Sequence, residues 1–206
     1  MQRQSEHPTR VVIVGGGFGG FFTALNLERR TRRGGPPLEV TLIHDANALV
    51  YTPFLPQAAG GTLEPRHVVV PLRGPLRRTR ILVGRATDHD PRQRTIEFES
   101  DAGDRLTLPY DHLVAAPGSV SRTAPIPGLA ESAIGFKTVA EAIHLRNHAI
   151  QQLELANTTP DPHERAARLT FVVVGGGYPG VEGLAEGEDM LREAKRLHPE
   201  PASDSS

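Results

Sequence analysis

Arg10-Val-Val-Ile-Val14 followed by Gly15-Gly-Gly-Phe-Gly-Gly20 is the stretch that decides the fold. The first five residues are a β-branched run of buried-strand type. The glycines then fall in the order Gly15-x-Gly17-x-x-Gly20, and Phe21 to Arg32 carries helix formers with basic residues toward its end, which suits the helix dipole. In a strand–turn–helix each glycine has a task. The first makes the tight turn, the second lets backbone approach a diphosphate, and the third lets helix pack on strand. Unpaired amides at the helix start then face the phosphate charge. Gly34-Gly-Pro-Pro37 breaks the helix, and Glu39-Val-Thr-Leu-Ile43 is a second buried strand, closing a βαβ unit of about thirty residues. The dinucleotide fingerprint thus has the context it requires.

In such a unit the second strand ends near an acid that holds a ribose hydroxyl. Here Ile43 is followed by His44 and Asp45, and both are candidates. Asp45 lies about 25 residues past Gly20, near the usual spacing, while His44 occupies the usual position.

Further along, residues 45–75 read as an irregular Pro- and Gly-rich loop, of a length usually kept for function. Arg80–Asp88, Gln93–Phe98 and Arg105–Leu108 read as an antiparallel meander, and Asp111–Ala116 as a returning buried strand ending in Pro117-Gly118. After a Pro-rich loop over 119–135, Val139–Ala156 is an amphipathic helix with Ala142, Leu145, Ala149, Leu153 and Ala156 on one face. Thr158-Thr-Pro-Asp-Pro162 reads as a linker.

The opening pattern then recurs. Leu169-Thr-Phe-Val-Val-Val174 predicts a strand, Gly175-x-Gly177-x-x-Gly180 a second fingerprint, and Val181–Leu197 a helix. The second fingerprint begins 160 residues after the first, so these are two dinucleotide sites, an arrangement suited to hydride transfer between two cofactors. Only 26 residues follow Gly180, with no further strand or ribose-holding acid, so this site is expected to bind a nicotinamide dinucleotide poorly.

The expected architecture is α/β: a Rossmann-like βαβ FAD-binding domain with an antiparallel meander over 10–160, then an incomplete second dinucleotide-binding βα unit over 168–198. Residues 1–9 and 199–206 read as disordered tails.

Composition narrows the function. The 206 residues carry 23 Lys+Arg against 24 Asp+Glu, a net charge of −1, which gives no footprint for nucleic acid. No run of basic residues is long enough to grip an anionic membrane, and no apolar run is long enough to cross one. Cys is 0, which removes disulfides, thiolate metal sites and catalytic thiols together. His144 and His148 stand at i, i+4 without a third ligand nearby, so no metal site is expected. Arg77-Arg78-x-Arg80 reads as a solvated turn, and Leu184 and Leu191 as core positions. A reducing compartment, the cytoplasm, is the expected location.

Together these segments resemble the type II NADH dehydrogenase family, within the flavoproteins that carry two dinucleotide domains. Residues 11–20 resemble the family's FAD fingerprint, and Leu49-Val-Tyr-Thr-Pro-Phe-Leu-Pro-Gln-Ala-Ala-Gly-Gly-Thr-Leu-Glu-Pro65 its loop under the isoalloxazine. Tyr110-Asp-His-Leu-Val-Ala-Ala-Pro-Gly118 resembles the second FAD motif, and Phe171-Val-Val-Val-Gly-Gly-Gly-Tyr-Pro-Gly-Val-Glu182 the NADH fingerprint. The resemblance implies FAD and NADH as cofactors and a quinone as electron acceptor. It implies FAD contacts at Gly15, Gly17, Phe18, Gly19, Gly20, His44, Asp45, Thr52, Pro53, Ala86, Ala116 and Gly118, and NADH contacts at Gly175, Gly177 and Gly180. Glu182 matches a glutamate near the nicotinamide–flavin contact. Pro117 departs from the family's threonine and removes a hydroxyl and a backbone donor, and His44 stands where an acid is usual. The family is about twice as long and lies peripherally on the inner face of the membrane through C-terminal helices, so the resemblance implies a truncated member. Zero Cys separates the chain from thiol-dependent relatives.

Overall fold

The computed structural model describes residues 7–120 and 124–197. In chain order the elements are β1 (Thr9–Val14), α1 (Phe18–Arg32), β2 (Leu38–His44), β3 (Ala48–Val50), α2 (Leu55–Gly60), β4 (Val69–Pro71), β5 (Arg80–Val83), β6 (Arg85–Asp90), β7 (Thr95–Glu99), β8 (Arg105–Pro109), β9 (His112–Ala115), α3 (Leu129–Ser132), α4 (Val139–Thr158), α5 (Pro162–Arg168) and α6 (Tyr178–Arg196). They fall into two compact units, one of residues 1–49 and 69–119, the other of residues 50–68 and 120–206.

The first unit is a three-layer α/β structure. Its four-stranded sheet has the order β5-β2-β1-β9, and all three pairings are parallel. Alternation along β1 and β2 splits the side chains between two faces. Val11, Ile13, Val40 and Leu42 meet Phe21 and Ala24 of α1, with Leu49, Leu72, Leu76 and Ile81 completing that core. Val12 and Ile43 point the other way and pack with Ile96, Phe98, Leu108 and Tyr110 of the antiparallel meander β6-β7-β8. Ile13 and Leu42 are fully buried, as central strands covered on both faces require. This is the Rossmann-like βαβ and meander that the sequence indicates.

Four details differ from expectation. Arg80–Asp88 is not one meander strand: β5 joins the parallel sheet, Gly84 turns the chain at φ +147°, and β6 leaves for the meander. A side chain at Gly84 would collide with the Glu99 carbonyl, so only glycine permits the switch. Residues 45–75 are not irregular throughout, since β3, α2, β4 and two short 3₁₀ turns at Thr52–Phe54 and Pro65–Val68 order them. Helix α1 starts at Phe18 rather than Phe21, so its first turn lies inside the glycine motif.

The fourth difference is the largest. Residues 171–176 form neither strand nor helix, so the expected strand Leu169–Val174 is absent. A parallel strand is held by its neighbours' amides and carbonyls, and no strand of the second unit pairs with this segment. Val172 is 80% exposed and Val174 54%.

The second unit is helical. Helix α4 opens with a capping box, in which Thr138 Oγ1 accepts from the Glu141 amide (3.1 Å) and Glu141 Oε2 accepts from the Thr138 amide (2.8 Å). Ala142, Ala149, Leu153 and Ala156 are buried along one stripe, as their spacing indicates. Helix α6 buries no residue, and Leu184, expected in the core, is 51% exposed. It rests against α2, where Thr62 Oγ1 donates to Glu186 Oε2 (3.1 Å) and the backbone of Gly60 meets the stem of Glu186. The tails read at 1–9 and 199–206 lie outside the described residues, except that residues 7–9 lead into and begin β1.

Candidate dinucleotide site

At the carboxyl ends of β1, β2 and β9 the first glycine motif is built from backbone. The Gly15 amide donates to the Ile43 carbonyl (2.8 Å), and the Ala116 amide donates to the Val14 carbonyl (2.8 Å), which seats the turn between both neighbouring strands. Gly15 has φ +104°, a region costly for any residue with a Cβ. A Cβ there would collide with the Ala116 carbonyl oxygen, and one on Gly20 would collide with the Gly15 carbonyl. A Cβ on Gly20 would also stand 3.1 Å from Ile13 Cγ2, which is the close helix-to-strand approach the third glycine allows.

Gly17 differs. No atom lies within 4 Å of where its Cβ would stand, so backbone there is open to a close-approaching group. Gly17 is the N-cap of α1, with no side-chain cap, and the first turn has no acid. Its first amides therefore have no partner from within the helix. A fifteen-residue helix with uncapped amides and a positive dipole end favours an anion. Phe18 is the first helical residue, and Gly19 would bring a Cβ to 3.4 Å from the Ala116 side chain.

His44 ends β2 and its ring lies over Gly16, where a Cβ would stand 2.5 Å from His44 Cδ2. His44 Nδ1 pairs with Asp45 Oδ1 at 3.1 Å, and the Asp45 side chain is 71% exposed. The strand-end position and the acid are thus held together, and the choice the sequence leaves open becomes a pair. Gly118 follows at φ +74° with open space around it. Ala86 is exposed on β6, in the same unit. One unit therefore brings together Gly15, Gly17, Phe18, Gly19, Gly20, His44, Asp45, Ala116 and Gly118. These residues fit a dinucleotide diphosphate and its adjoining ribose.

The second motif copies the turn without the frame. Gly175 has φ +118°, Gly177 caps α6 with φ −74° and ψ 167°, and a Cβ on Gly180 would collide with the Gly175 carbonyl. Yet a Cβ on Gly175 would meet nothing within 4 Å, where Gly15 meets Ala116. Pro179, in the first turn of α6, also removes one donor. Glu182 is exposed in α6, and Thr52 and Pro53 are exposed in the 3₁₀ turn; all belong to the second unit.

Two charged positions passed over in the sequence reading organise the first unit. Glu28, buried in α1, accepts from the amides of Arg77 (3.2 Å), Arg78 (2.8 Å) and Thr79 (2.8 Å) and from Thr79 Oγ1 (2.8 Å). Burial pushes its carboxyl up, but these four donors outweigh burial and hold it below the usual range. Asp111, at the start of the returning segment, accepts from Arg10 Nη2 (3.0 Å), Nε (3.2 Å) and amide (2.8 Å). Its side-chain and backbone bonds to Arg10 lower its pKa to about 2. Among the described residues no group of three metal-ligating side chains forms, and no helix is long and apolar enough to cross a membrane.

Residues 9–193 match the pyridine nucleotide-disulphide oxidoreductase family. The chain belongs to that family. Among curated relatives, it is 33% identical over 195 residues to an external mitochondrial NADH-ubiquinone oxidoreductase of Saccharomyces cerevisiae, covering 90% of this chain and 34% of that protein. It is 36% identical over 177 residues to a type II NADH:quinone oxidoreductase of Mycobacterium tuberculosis, covering 84% and 36%. The structure of NDH2 from Plasmodium falciparum in complex with NADH superposes with a TM-score of 0.83 at 29% identity, covering 93% of this chain and 39% of that one. The chain spans about a third of the length of these relatives.

Proposed function

We propose that this chain is the FAD-binding portion of a type II NADH:quinone oxidoreductase. The observation that carries the reading is the first glycine turn, closed at Gly15 by Ala116, open at Gly17, and leading into an uncapped helix. The α1 amides from Phe18 onward would meet the FAD diphosphate, and His44 with Asp45 the adenosine ribose. Ala86, Ala116 and Gly118 of the first unit would take further parts of the cofactor, and the family resemblance supports cofactor contact for Thr52 and Pro53 of the second unit as well. FAD, when bound, supplies the two-electron chemistry, while the protein orients it.

Gly175, Gly177 and Gly180 would receive the NADH diphosphate, with Glu182 near the nicotinamide and a quinone as acceptor. The family resemblance supports these roles, as it supports a site on the inner face of a membrane reached from the cytoplasm. We assign 10–160 to the FAD domain and 168–198 to the start of the NADH domain, with no nucleic acid as partner.

A second reading, FAD binding without turnover, is favoured by the exposed residues 171–174, which form no strand. A visible spectrum separates the two. Bound oxidised flavin makes the protein yellow; bleaching by NADH supports the oxidoreductase, and a stable yellow protein supports the second reading. A colourless protein that takes up no FAD contradicts both.

A further inference from the structure

The parallel sheet turns polar near the amino ends of its strands, on the face that packs against the meander. Alternation places Arg10 with Val12, and Glu39 and Thr41 with Ile43, on that face. Arg80 of β5 joins them, because it stands in register with Thr41. Together with Thr107 and Leu108 of β8 these residues line a cavity of about 170 Å³ between sheet and meander. Thr41 is 6% exposed, and among the described residues its hydroxyl makes no hydrogen bond. A buried hydroxyl without a partner is costly, and the great majority of such groups have one. The charges around it differ in their engagement. Arg10 is held by Asp111 through Nη2, Nε and its amide. Glu39 and Arg80 are exposed, and neither forms a side-chain hydrogen bond or an ion pair among the described residues. They stand diagonally on neighbouring strands, two residues apart in register, about 8 Å between Cα atoms from strand spacing and rise. A simple anion at Arg80 would face the Glu39 carboxylate, and a simple cation at Glu39 would face Arg80. A molecule that carries both charges suits both.

We propose that this cavity binds a short α-amino acid, its carboxylate on Arg80, its ammonium on Glu39 and an oxygen hydrogen-bonded to Thr41. A guanidinium fork matches the geometry of a carboxylate, and the Glu39 carboxylate accepts from an ammonium. Size sets the length of the ligand. The cavity holds the volume of about six waters at roughly 30 Å³ each, enough for a small amino acid and too little for a nucleotide. Val12 and Leu108, both buried, give its inner wall an apolar surface for a short side chain. The site lies at the opposite end of the sheet from the glycine turn. Arg10 and Gly15 are separated by five residues along β1 and its turn, roughly 16 Å at 3.3 Å per residue, so amino acid and dinucleotide do not compete. A bound ligand would tie β2 and β5 of the sheet to β8 of the meander and stabilise the first unit. This inference does not rest on the proposed FAD chemistry.

The test is equilibrium dialysis of the whole chain against isotopically labelled L-serine. Lactate, which lacks the ammonium, and ethanolamine, which lacks the carboxylate, serve as competitors. Saturable binding at one serine per chain is expected, with the same affinity whether or not FAD is present. Each competitor is expected to bind about tenfold or more weaker than serine, because each leaves one charged group unpaired. Arg80→Gln and Glu39→Gln should each weaken serine binding by about tenfold, and Thr41→Val by a smaller factor. Arg92→Gln, which removes a meander charge that does not line the cavity, should bind like the parent. Circular dichroism reports the folding of each variant independently. Absence of saturable serine binding, competition by lactate or ethanolamine as strong as by unlabelled serine, or full serine affinity in folded R80Q and E39Q would overturn the proposal.

Discussion

The carbonyl oxygen of Ala116 stands in the space that a side chain on Gly15 would fill, and Gly15 itself sits at φ +104°. Two strands that are neighbours in the sheet thus fix one glycine turn from both directions. Gly175 has nearly the same dihedral, φ +118°, with no neighbour to collide with. The pair separates backbone strain from tertiary collision.

Gly15→Ala is therefore expected to cost about 3 kcal/mol or more, left-handed strain plus overpacking. Gly175→Ala should cost only about 1 kcal/mol, since strain acts alone there. Urea unfolding of both variants checks the difference. Flavin content should fall in the first and persist in the second, and equal effects would show that the two turns stand in equivalent frames.

Glu28 predicts a large effect from a residue remote from the glycine turn. Glu28→Ala leaves three amides and a hydroxyl without their acceptor, and a loss of about 2–4 kcal/mol is expected. Glu28→Gln keeps one carbonyl acceptor and should recover part of it. Thermal unfolding checks this, and a midpoint equal to the parent's would contradict it.

Acid stability follows from the two lowered carboxyls. A group whose folded pKa lies below its unfolded value stabilises the fold above the unfolded value, and that contribution is lost as pH falls through the folded one. For Asp111 the window runs from about 4 down to about 2. Glu28 acts in the same direction. Unfolding free energy is expected to fall with acidification across this window. Asp111→Asn should flatten the slope, whereas an unchanged slope would remove Arg10–Asp111 from the account.

Thr138→Ala removes the hydroxyl half of the α4 capping box. A cost of about 1 kcal/mol is expected in urea unfolding, with Thr138→Ser close to the parent. An effect near zero would mean that packing of the α4 stripe alone holds the helix start.

Much of the first unit is legible in the sequence because its signals are local. The β-branched runs at β1 and β2, the glycine spacing and the Pro-Gly breaks each act within a few residues, and they place the turn and its helix. The switch from the parallel sheet to the meander at Gly84 is hidden, because Arg80–Asp88 carries no turn dipeptide or proline and the two halves differ chiefly in their partners. The reading of Leu169–Val174 as a strand fails for a related reason. Its β-branched composition is that of a buried strand, but strand formation depends on neighbours that composition does not supply. The Glu28 network is invisible to local patterning, since it joins residues some fifty positions apart. The capping box at Thr138-Val-Ala-Glu141 was readable from its spacing alone.

Calorimetric titration of the folded chain with FAD tests the central claim most directly. The account predicts saturable heat at one FAD per chain, reduced sharply by Gly15→Ala and little by Gly175→Ala. Absence of any heat of association from a protein shown to be folded by circular dichroism would contradict it.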